Sequence, residues 1–268
     1  KNTIVSLVTP DLLAVTKTPE TMKDKIYCVV SSLEKDDEFY EIVDKNISIL
    51  REEADATLAL DALTTLIEKE WKPEDYEYAL SFLVDDMRNR QESRDFSTPK
   101  EVRTLMTSLL NKDSKTIYDP CAGAYTFAID MSGKKDLYGC EINEQIYETS
   151  QLIFALLDID SKHLRYGDFT TCGPKTKVDS IISELPMGNR TSQNETFDQF
   201  LFKNFEGMTT ENGQMVVLTS CSELYAGGKA KEARKKLVEQ SLIDKIFFLP
   251  GNVLPGTSVS SVILVLRK

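Results

Sequence analysis

From about residue 97 onward, short runs rich in β-branched residues alternate with longer amphipathic stretches. The runs that predict strands are TIYD, DLYGCEI, HLRYGD, VDSIIS, QMVVLTS, IDKIFFL and SSVILVLRK. The helical patterns that stand between most of them are AYTFAIDM, NEQIYETSQLIFALL, TFDQFLFKNFEGM and AKEARKKLVEQS. Because parallel strands need crossover connections, this alternation predicts an α/β fold whose mostly parallel sheet carries helices on both faces.

The last two predicted strands are joined by the segment PGNVLPGTS, which is rich in glycine and proline. Such a short segment has no room for a crossover helix. The last strand of the predicted seven-stranded sheet is therefore expected to be antiparallel.

The stretch STPKEVRTLMTSLL predicts a helix just before the first strand. Thr98 is followed by Pro99 and, three positions on, by Glu101, which is the pattern of a capping box. We therefore expect Thr98 to open this helix.

The part of the chain before the sheet has a different character. Residues from about 18 to 92 carry apolar side chains at helical spacing, and a proline follows both Thr18 and Lys72 at predicted helix starts. We therefore divide the chain into an N-terminal helical region, residues 1–92, and a sheet domain, residues 93–268.

The composition narrows the function classes. Hydrophobic residues make up 41% of the chain and charged residues 28%, which is typical of a soluble globular protein. No apolar run is long enough to cross a membrane, and no signal peptide is visible. The cysteines are irregularly spaced without a C-x-x-C pair, so neither a disulfide framework nor a zinc site is expected. We expect a cytoplasmic protein with no metal and no membrane partner.

The net charge of −11 bears on nucleic-acid binding. A protein that holds DNA by itself is usually basic over at least one face. The one dense basic cluster is KAKEARKK, residues 229–236, and a solvated helix face is its simpler interpretation. DNA binding would therefore need a local patch or a partner.

Ligands of parallel α/β sheets bind at the carboxyl ends of the strands, so the residues after each strand are candidates. Asp119 ends the first strand, and Gly123 in the next turn would let a ligand approach backbone amides, although an ordinary tight turn is the simpler interpretation. Glu141 ends the second strand, 22 positions beyond Asp119, where nucleotide-binding sheets hold ribose hydroxyls. A carboxylate that caps the next helix is an equal alternative.

Two further strand ends carry candidates. Asp168 and Phe169 follow the third strand. Asp168 could accept a hydrogen bond from an adenine amino group and Phe169 could lie against the adenine ring. Alternatively, each is simply part of a turn. The fourth strand runs into Glu184 and Pro186. A carboxylate there is either a charged residue leaving the core or part of an active-site loop.

Together these segments resemble the modification (M) subunit of type I restriction systems, which are N-6 adenine-specific DNA methylases. FSTPKEV resembles the family's F-Y-T-P-x-x-V, YDPCAGAYTF its D-P-A-C-G-S-G-G-F, LYGCEIN its L-Y-G-x-E-x-N, and GDF its G-D-T/S. DSIISELPMG stands where the family has D-x-x-x-x-N-P-P-F-G. The resemblance covers roughly residues 95–268, and the earlier helical part resembles the family's helical domain only in position and character.

The resemblance implies a class I S-adenosylmethionine-dependent methyltransferase fold of the Rossmann-like type. The implied contacts of the S-adenosylmethionine cofactor are Phe96, Thr98, Asp119, Gly123, Glu141, Asp168 and Phe169. Glu184, Pro186 and Met187 occupy the catalytic positions, with Leu185 at the family's first proline and Pro186 at its second. In the family, the Asn and the first Pro accept hydrogen bonds from the N6 amine of an adenine that is flipped out of the duplex, and the aromatic residue stacks on the base. The implied partners are DNA, reached with a separate specificity subunit, and other restriction-modification subunits.

The sequence departs from the family at the glycine loop and at the catalytic tetrapeptide. Tyr125 and Thr126 stand at the two later glycine positions, so the tyrosine must rotate away or fill part of the pocket. Glu184 replaces Asn with a chain one methylene longer, a shift of about 1 Å that can cost about 10²-fold in rate. Met187 offers no ring to stack on the base.

Three hypotheses follow from these departures. In the first, the motifs are eroded, methylation is weak or lost, and the protein is kept as a pseudoenzyme scaffold. In the second, it is an active adenine-N6 DNA methyltransferase that works with a specificity subunit. In the third, a methyltransferase of the same fold acts on a substrate other than DNA.

Overall fold

The computed structural model describes residues 41, 98–131, 135–157, 159–251, 253–254 and 259–268. The prediction of an N-terminal helical region with a boundary at residue 92 lies outside the described residues apart from Glu41, and so does Phe96.

The described elements follow the predicted alternation. The helices are α1 Lys100–Ser108, α2 Phe127–Asp130, α3 Glu144–Leu156, α4 Phe169–Cys172, α5 Phe197–Met208 and α6 Gly228–Glu239, and a 3-10 turn spans Cys221–Leu224. The strands are β1 Thr116–Asp119, β2 Asp136–Glu141, β3 Leu164–Tyr166, β4 Val178–Glu184, β5 Thr209–Ser220, β6 Ile243–Phe248 and β7 Ser261–Arg267. Observed and predicted strands differ mainly at their ends, where β5 begins five residues before the predicted run.

The strands form one seven-stranded sheet in the order β3-β2-β1-β4-β5-β7-β6. The pairs from β3 to β5 are parallel, and β7 is antiparallel to both β5 and β6. The prediction of an antiparallel last strand is thus confirmed, and β7 lies between β5 and β6 rather than at the edge. The strand order reverses between β1 and β4, which is where ligands of open α/β sheets bind.

Helices cover both faces of the sheet. One core contains side chains of α1, α2 and α3 together with Ile117, Ile182 and Val216 of the strands. The other contains side chains of α4, α5 and α6 together with Ile181 and Val217. Successive strand residues therefore point to opposite cores, so the strands are buried on both sides and read as continuous apolar runs.

The predicted capping box of α1 is wrong. The helix begins at Lys100 with Pro99 as its N-cap, and no side chain caps it. Pro99 has φ −53° and ψ 142°, and its carbonyl accepts the first helical hydrogen bond from Arg103 N at 2.8 Å. Thr98 is instead buried, with 4% of its surface exposed.

Cys140 of β2 is paired with Cys172 of α4 in a disulfide, with a Cα–Cα distance of 6.4 Å. The sequence analysis argued against a framework of several disulfides, and it did not anticipate this single pair. The sequence could not show it, because the two residues are 32 positions apart and meet only when α4 packs beside the end of β2.

None of the helices in the described part of the chain is long and apolar enough to span a membrane.

Candidate functional site

Asp119 is a buried carboxylate at the end of β1, with 1% of its surface exposed. Its Oδ1 accepts hydrogen bonds from the Ser183 hydroxyl at 2.6 Å and from Cys121 N at 3.1 Å. Burial raises the pKa of Asp119 to about 7, although these two hydrogen bonds favour the charged form. The nearby charges of Glu141 and Glu184 raise this pKa further. The carboxylates that end β2 and β4 are therefore close enough to Asp119, at the end of β1, to raise its cost of ionisation.

The glycine loop, residues 119–126, is tied to β2 through Glu141. Gly123 has φ +54°, and its amide donates to Glu141 Oε2 at 2.9 Å. Asn143 N donates to Glu141 Oε1 at 2.7 Å, while the side chain of Asn143 accepts from Ile146 N at the start of α3. Each carboxylate oxygen has a second acceptor direction, so Glu141 can hold the loop and still accept from a ligand hydroxyl.

Tyr125 rotates away from the loop, into the core beneath it. It is fully buried, its ring centroid lies 5.0 Å from that of Phe154, and its hydroxyl donates to the carbonyl of Tyr138 at 2.8 Å. Tyr138 pairs with Tyr118, one residue before β1 ends, so the phenol extends back from the carboxyl edge of the sheet. The backbone of Tyr125 is left-handed, with φ +52°, which costs a non-glycine residue about 1 kcal/mol.

Asp168 and Phe169, after β3, have structural roles in a turn, which is the simpler of the two interpretations of the sequence. Asp168 caps α4, because its Oδ1 accepts from the backbone amide and the hydroxyl of Thr170, both at 2.8 Å. Phe169 is 6% exposed and packs edge-on against Phe197 and Phe200, with centroids 4.8 Å and 5.4 Å away. Its ring therefore belongs to the core next to the site and offers little surface to a ligand.

Ile142 is a candidate that the sequence reasoning missed. It follows Glu141 directly and is 68% exposed, which makes it a large apolar side chain on the carboxyl edge. The available signal was an apolar residue placed straight after the strand-end carboxylate. A flat ring attached to a sugar whose hydroxyls bond to Glu141 would find an apolar surface there.

Glu184 is half-buried at the end of β4 and stands opposite Leu218 of β5. The next residue, Leu185, is 1% exposed, packs in the core under α5, and donates its amide to Leu218 O at 3.2 Å. The family's first proline could not make this hydrogen bond. The loop continues the β4–β5 pairing by one residue and then turns.

The rest of this loop turns at Pro186, whose carbonyl accepts from Asn189 N at 3.3 Å. Met187 packs against the core under α1, to which Val253 and Leu254 of the β6–β7 connection also contribute. Met187 thus fills an apolar position beside the loop without presenting a ring.

The strand-end candidates Asp119, Glu141, Asp168 and Glu184 lie at the carboxyl edge of the parallel strands. Burial raises the pKa of the Cys121 thiol, and the charges of Asp119, Glu141, Asp198 and Asp168 add to the effect. Four carboxylates from different elements therefore surround the loop after β1. In the described part of the chain, no cluster of His, Cys, Asp and Glu side chains fits a metal ion.

The basic cluster at residues 229–236 lies on α6, and two of its residues hold neighbouring segments of the chain. Lys229 donates to the carbonyls of Gln193 and Asn194 at 3.2 Å and 3.1 Å. Arg234 donates to the carbonyls of Glu223 and Ala226 at 2.6 Å and 3.1 Å. These contacts favour the structural interpretation of the cluster over a DNA-binding patch.

The sequence is similar to a known protein family and to several of its members. The family model described as N-6 DNA Methylase matches residues 73–268. The type I restriction enzyme MjaVII methylase subunit of Methanocaldococcus jannaschii is 24% identical over 208 residues, which cover 64% of this chain and 36% of that protein. The MpnII methylase subunit of Mycoplasma pneumoniae is 22% identical, over 72% of this chain and 43% of its own length. The chain thus spans less than half of these relatives.

Solved structures share the fold. The type I restriction-modification methyltransferase subunit from Streptococcus thermophilus has a TM-score of 0.71 at 17% identity, covering 97% of this chain and 66% of that one. A protein of Listeria monocytogenes assigned to the class I S-adenosylmethionine-dependent methyltransferases has a TM-score of 0.66 at 17% identity, covering 100% and 84%. The predicted class I, Rossmann-like fold is confirmed.

Proposed function

Because this chain belongs to the N-6 DNA methylase family, we propose that it binds S-adenosylmethionine and that its methyl transfer to adenine N6 is weak or lost. It would act as the methyltransferase-like part of a type I restriction-modification methylase subunit. The residues on the donor side of the site support binding of S-adenosylmethionine. The residues on the target side support weak methyl transfer.

The residues on the donor side fit S-adenosylmethionine. Glu141 has acceptor capacity for ribose hydroxyls beyond its bonds to Gly123 and Asn143, and Ile142 offers an apolar surface next to it. Asp168 adds negative charge near a loop that would meet a cationic ligand, and Asp119 adds to it where the pH exceeds its raised pKa of about 7. Thr98, just before α1, remains a candidate contact, as does Phe96, which lies outside the described residues, and Phe169 supports the site from the core.

The observation that carries donor binding is the direction of Tyr125. Its phenol is bonded to Tyr138 O beneath the loop, so it does not stand above the loop where the family's glycines let a donor approach. The loop also keeps its left-handed turn at Gly123 and its hydrogen bond to Glu141.

The target side supports weak transfer. When bound, the donor supplies an electrophilic methyl group on a sulfonium, and the protein's task is to hold an amine in line with it. Glu184 can accept a hydrogen bond from such an amine, but its extra methylene moves the acceptor by about 1 Å relative to the family's amide. Leu185, at the position of the family's first proline, packs in the core. Met187 gives an apolar contact but has no ring to stack on a base.

The proposed partners follow from the charge and from α6. With a net charge of −11 and a basic cluster in which Lys229 and Arg234 already bond to neighbouring carbonyls, this chain has little to hold DNA on its own. We place it with a specificity subunit and other restriction-modification subunits, which would bring it to DNA.

Titration calorimetry with S-adenosylmethionine tests the donor half of the proposal. Micromolar binding that is lost in Glu141→Ala supports it, and absence of binding at millimolar donor contradicts it. Transfer of a labelled methyl group to duplex DNA, with a specificity subunit present, tests the second half. Rapid methylation of adenine would make the chain an active enzyme, and rapid methylation of another amine would point to a different substrate.

A further inference from the structure

Arg103 is a fully buried charged side chain on α1, with no exposed surface. Its Nε donates to Asp130 Oδ2 at 2.9 Å, and its Nη2 reaches Asp130 Oδ1 at 3.5 Å. The hydroxyl of Thr104 donates to the same carboxylate at 3.4 Å. Asp130 is the last residue of α2, and its side chain is 19% exposed. A planar guanidinium fork that meets both oxygens of one carboxylate fixes distance and orientation together.

The two ends of this ion pair belong to the two segments that flank the candidate donor site. Arg103 lies one turn into the helix that follows Thr98, and Asp130 ends the helix that follows the glycine loop. Both helices pack on the same face of the sheet, in the core that includes Val102, Phe127 and Ala128. The ion pair therefore ties the Thr98 segment to the Gly123 segment.

Burial of a guanidinium is a poor way to gain stability. An apolar pair of similar volume usually packs at least as well, because neither ion then has to leave water. What the ion pair adds is a fixed geometry between α1 and α2. The same face already has apolar side chains from both helices, so the ion pair is not required for burial.

We propose that Arg103 and Asp130 are positioning residues for the methyl donor, because they hold the segment at Thr98 at a set distance from the loop at Gly123. Neither residue touches the donor. This inference rests on the donor binding proposed above, and it adds that the affinity for the donor depends on an ion pair behind the site.

The test is calorimetry of the full chain with S-adenosylmethionine, in three variants and a control, alongside urea unfolding. The double variant Arg103→Met/Asp130→Leu replaces the pair by apolar groups. Asp130→Glu keeps the charges but lengthens one arm by a methylene. Arg103→Lys keeps the charge but removes the fork. The control is Asp244→Asn, which breaks the ion pair of Asp244 with Arg267 at 2.8 Å, between β6 and β7.

We expect the double variant to unfold at nearly the wild-type urea concentration and to bind the donor at least ten-fold more weakly. Asp130→Glu and Arg103→Lys are expected to weaken binding three- to ten-fold, and Asp244→Asn to leave it unchanged. A purely structural pair would lower stability and leave the affinity of the folded protein unchanged, and that result would overturn the inference.

The single variants decide the matter if the double variant does not fold. Asp130→Glu that is folded and binds like wild type would overturn the inference as well. A wild-type chain that binds no donor would be a different failure, because it would contradict the proposed function before any variant is compared.

Discussion

The hydroxyl of Tyr125 donates to the carbonyl of Tyr138 at 2.8 Å, so the loop after β1 is anchored to the neighbouring strand from below. The tyrosine keeps a left-handed backbone, and the cost is offset by burial of its ring against Phe154. Tyr125 therefore contributes to the packing of the core beneath the loop and leaves the outer surface of the loop clear.

Variants of Tyr125 separate these two roles. Tyr125→Phe removes one hydrogen bond and is expected to lower the free energy of unfolding by about 1 kcal/mol. Tyr125→Gly relieves about 1 kcal/mol of backbone strain but loses a buried ring, so we expect a net loss of about 2–4 kcal/mol. Urea unfolding measures both. Donor affinity should change less than about three-fold, and a large gain in affinity for Tyr125→Gly would mean that the ring does obstruct the donor.

The buried carboxyl of Asp119 predicts a pH dependence of stability. Its pKa is raised to about 7 from a model-peptide value of 3.8, so the folded state holds this proton more tightly than the unfolded state. The stabilisation from this group is complete below pH 4 and is lost as the pH rises to about 7. Asp119→Asn cannot ionise and should gain stability relative to wild type over that window, by at most about 4 kcal/mol above pH 7.

Urea unfolding of the wild type and of Asp119→Asn at several pH values between 4 and 8 measures this difference directly. Other carboxylates titrate in both proteins and cancel in the comparison. A constant difference across the range would show that Asp119 is ionised in the folded state throughout.

Glu141 is expected to support both the loop and the donor. Glu141→Gln keeps an acceptor but loses the charge, and its amide nitrogen cannot accept from Gly123 N or Asn143 N. We expect donor affinity to fall by about ten-fold or more, since charge-assisted hydrogen bonds to a diol are lost. Asp136→Asn, at the opposite end of the same strand, is the matched control and should bind the donor like wild type. Calorimetry of both variants measures the effect.

The target side predicts a gain of activity. Glu184→Asn shortens the side chain by one methylene, and Met187→Phe adds a ring. In the presence of a specificity subunit, we expect the double variant to methylate duplex DNA at least about ten-fold faster than wild type, because the acceptor returns to the shorter position and the base gains a stacking partner. A methyl-transfer assay with labelled donor measures this, and an unchanged rate would show that these two positions do not limit methyl transfer.

Leu185 shows why a full return to the family tetrapeptide should fail. Its side chain is buried in the core, and its amide bonds to Leu218 O at 3.2 Å. Leu185→Pro removes both, so we expect a loss of about 3–5 kcal/mol in the free energy of unfolding. Thermal unfolding of this variant beside Glu184→Asn tests the contrast, and a fully stable Leu185→Pro would contradict the packing.

Much of the site's position was predictable because it follows from local patterns. Continuous apolar runs ended at Asp119, Glu141 and Glu184, and parallel strands bring such ends to one edge. The exposed Ile142 was overlooked because the neighbouring Glu141 is a carboxylate at a strand end, which is the more familiar sign of a nucleotide-binding site. Thr98 met every local rule for a helix cap, but Pro99 took that place and Thr98 was buried.

The sequence by itself determined the number of strands, their succession along the chain and their direction, because periodicity and connection length act within a few residues of the chain. Only the tertiary structure decided where long side chains point. Tyr125 turned into the core, Phe169 packed among the rings of α5, and Arg103 met Asp130 across 27 positions. Each of these contacts depends on which helix lies over which strand, and a packed interior settles that by volume and hydrogen bonding among residues far apart in the chain.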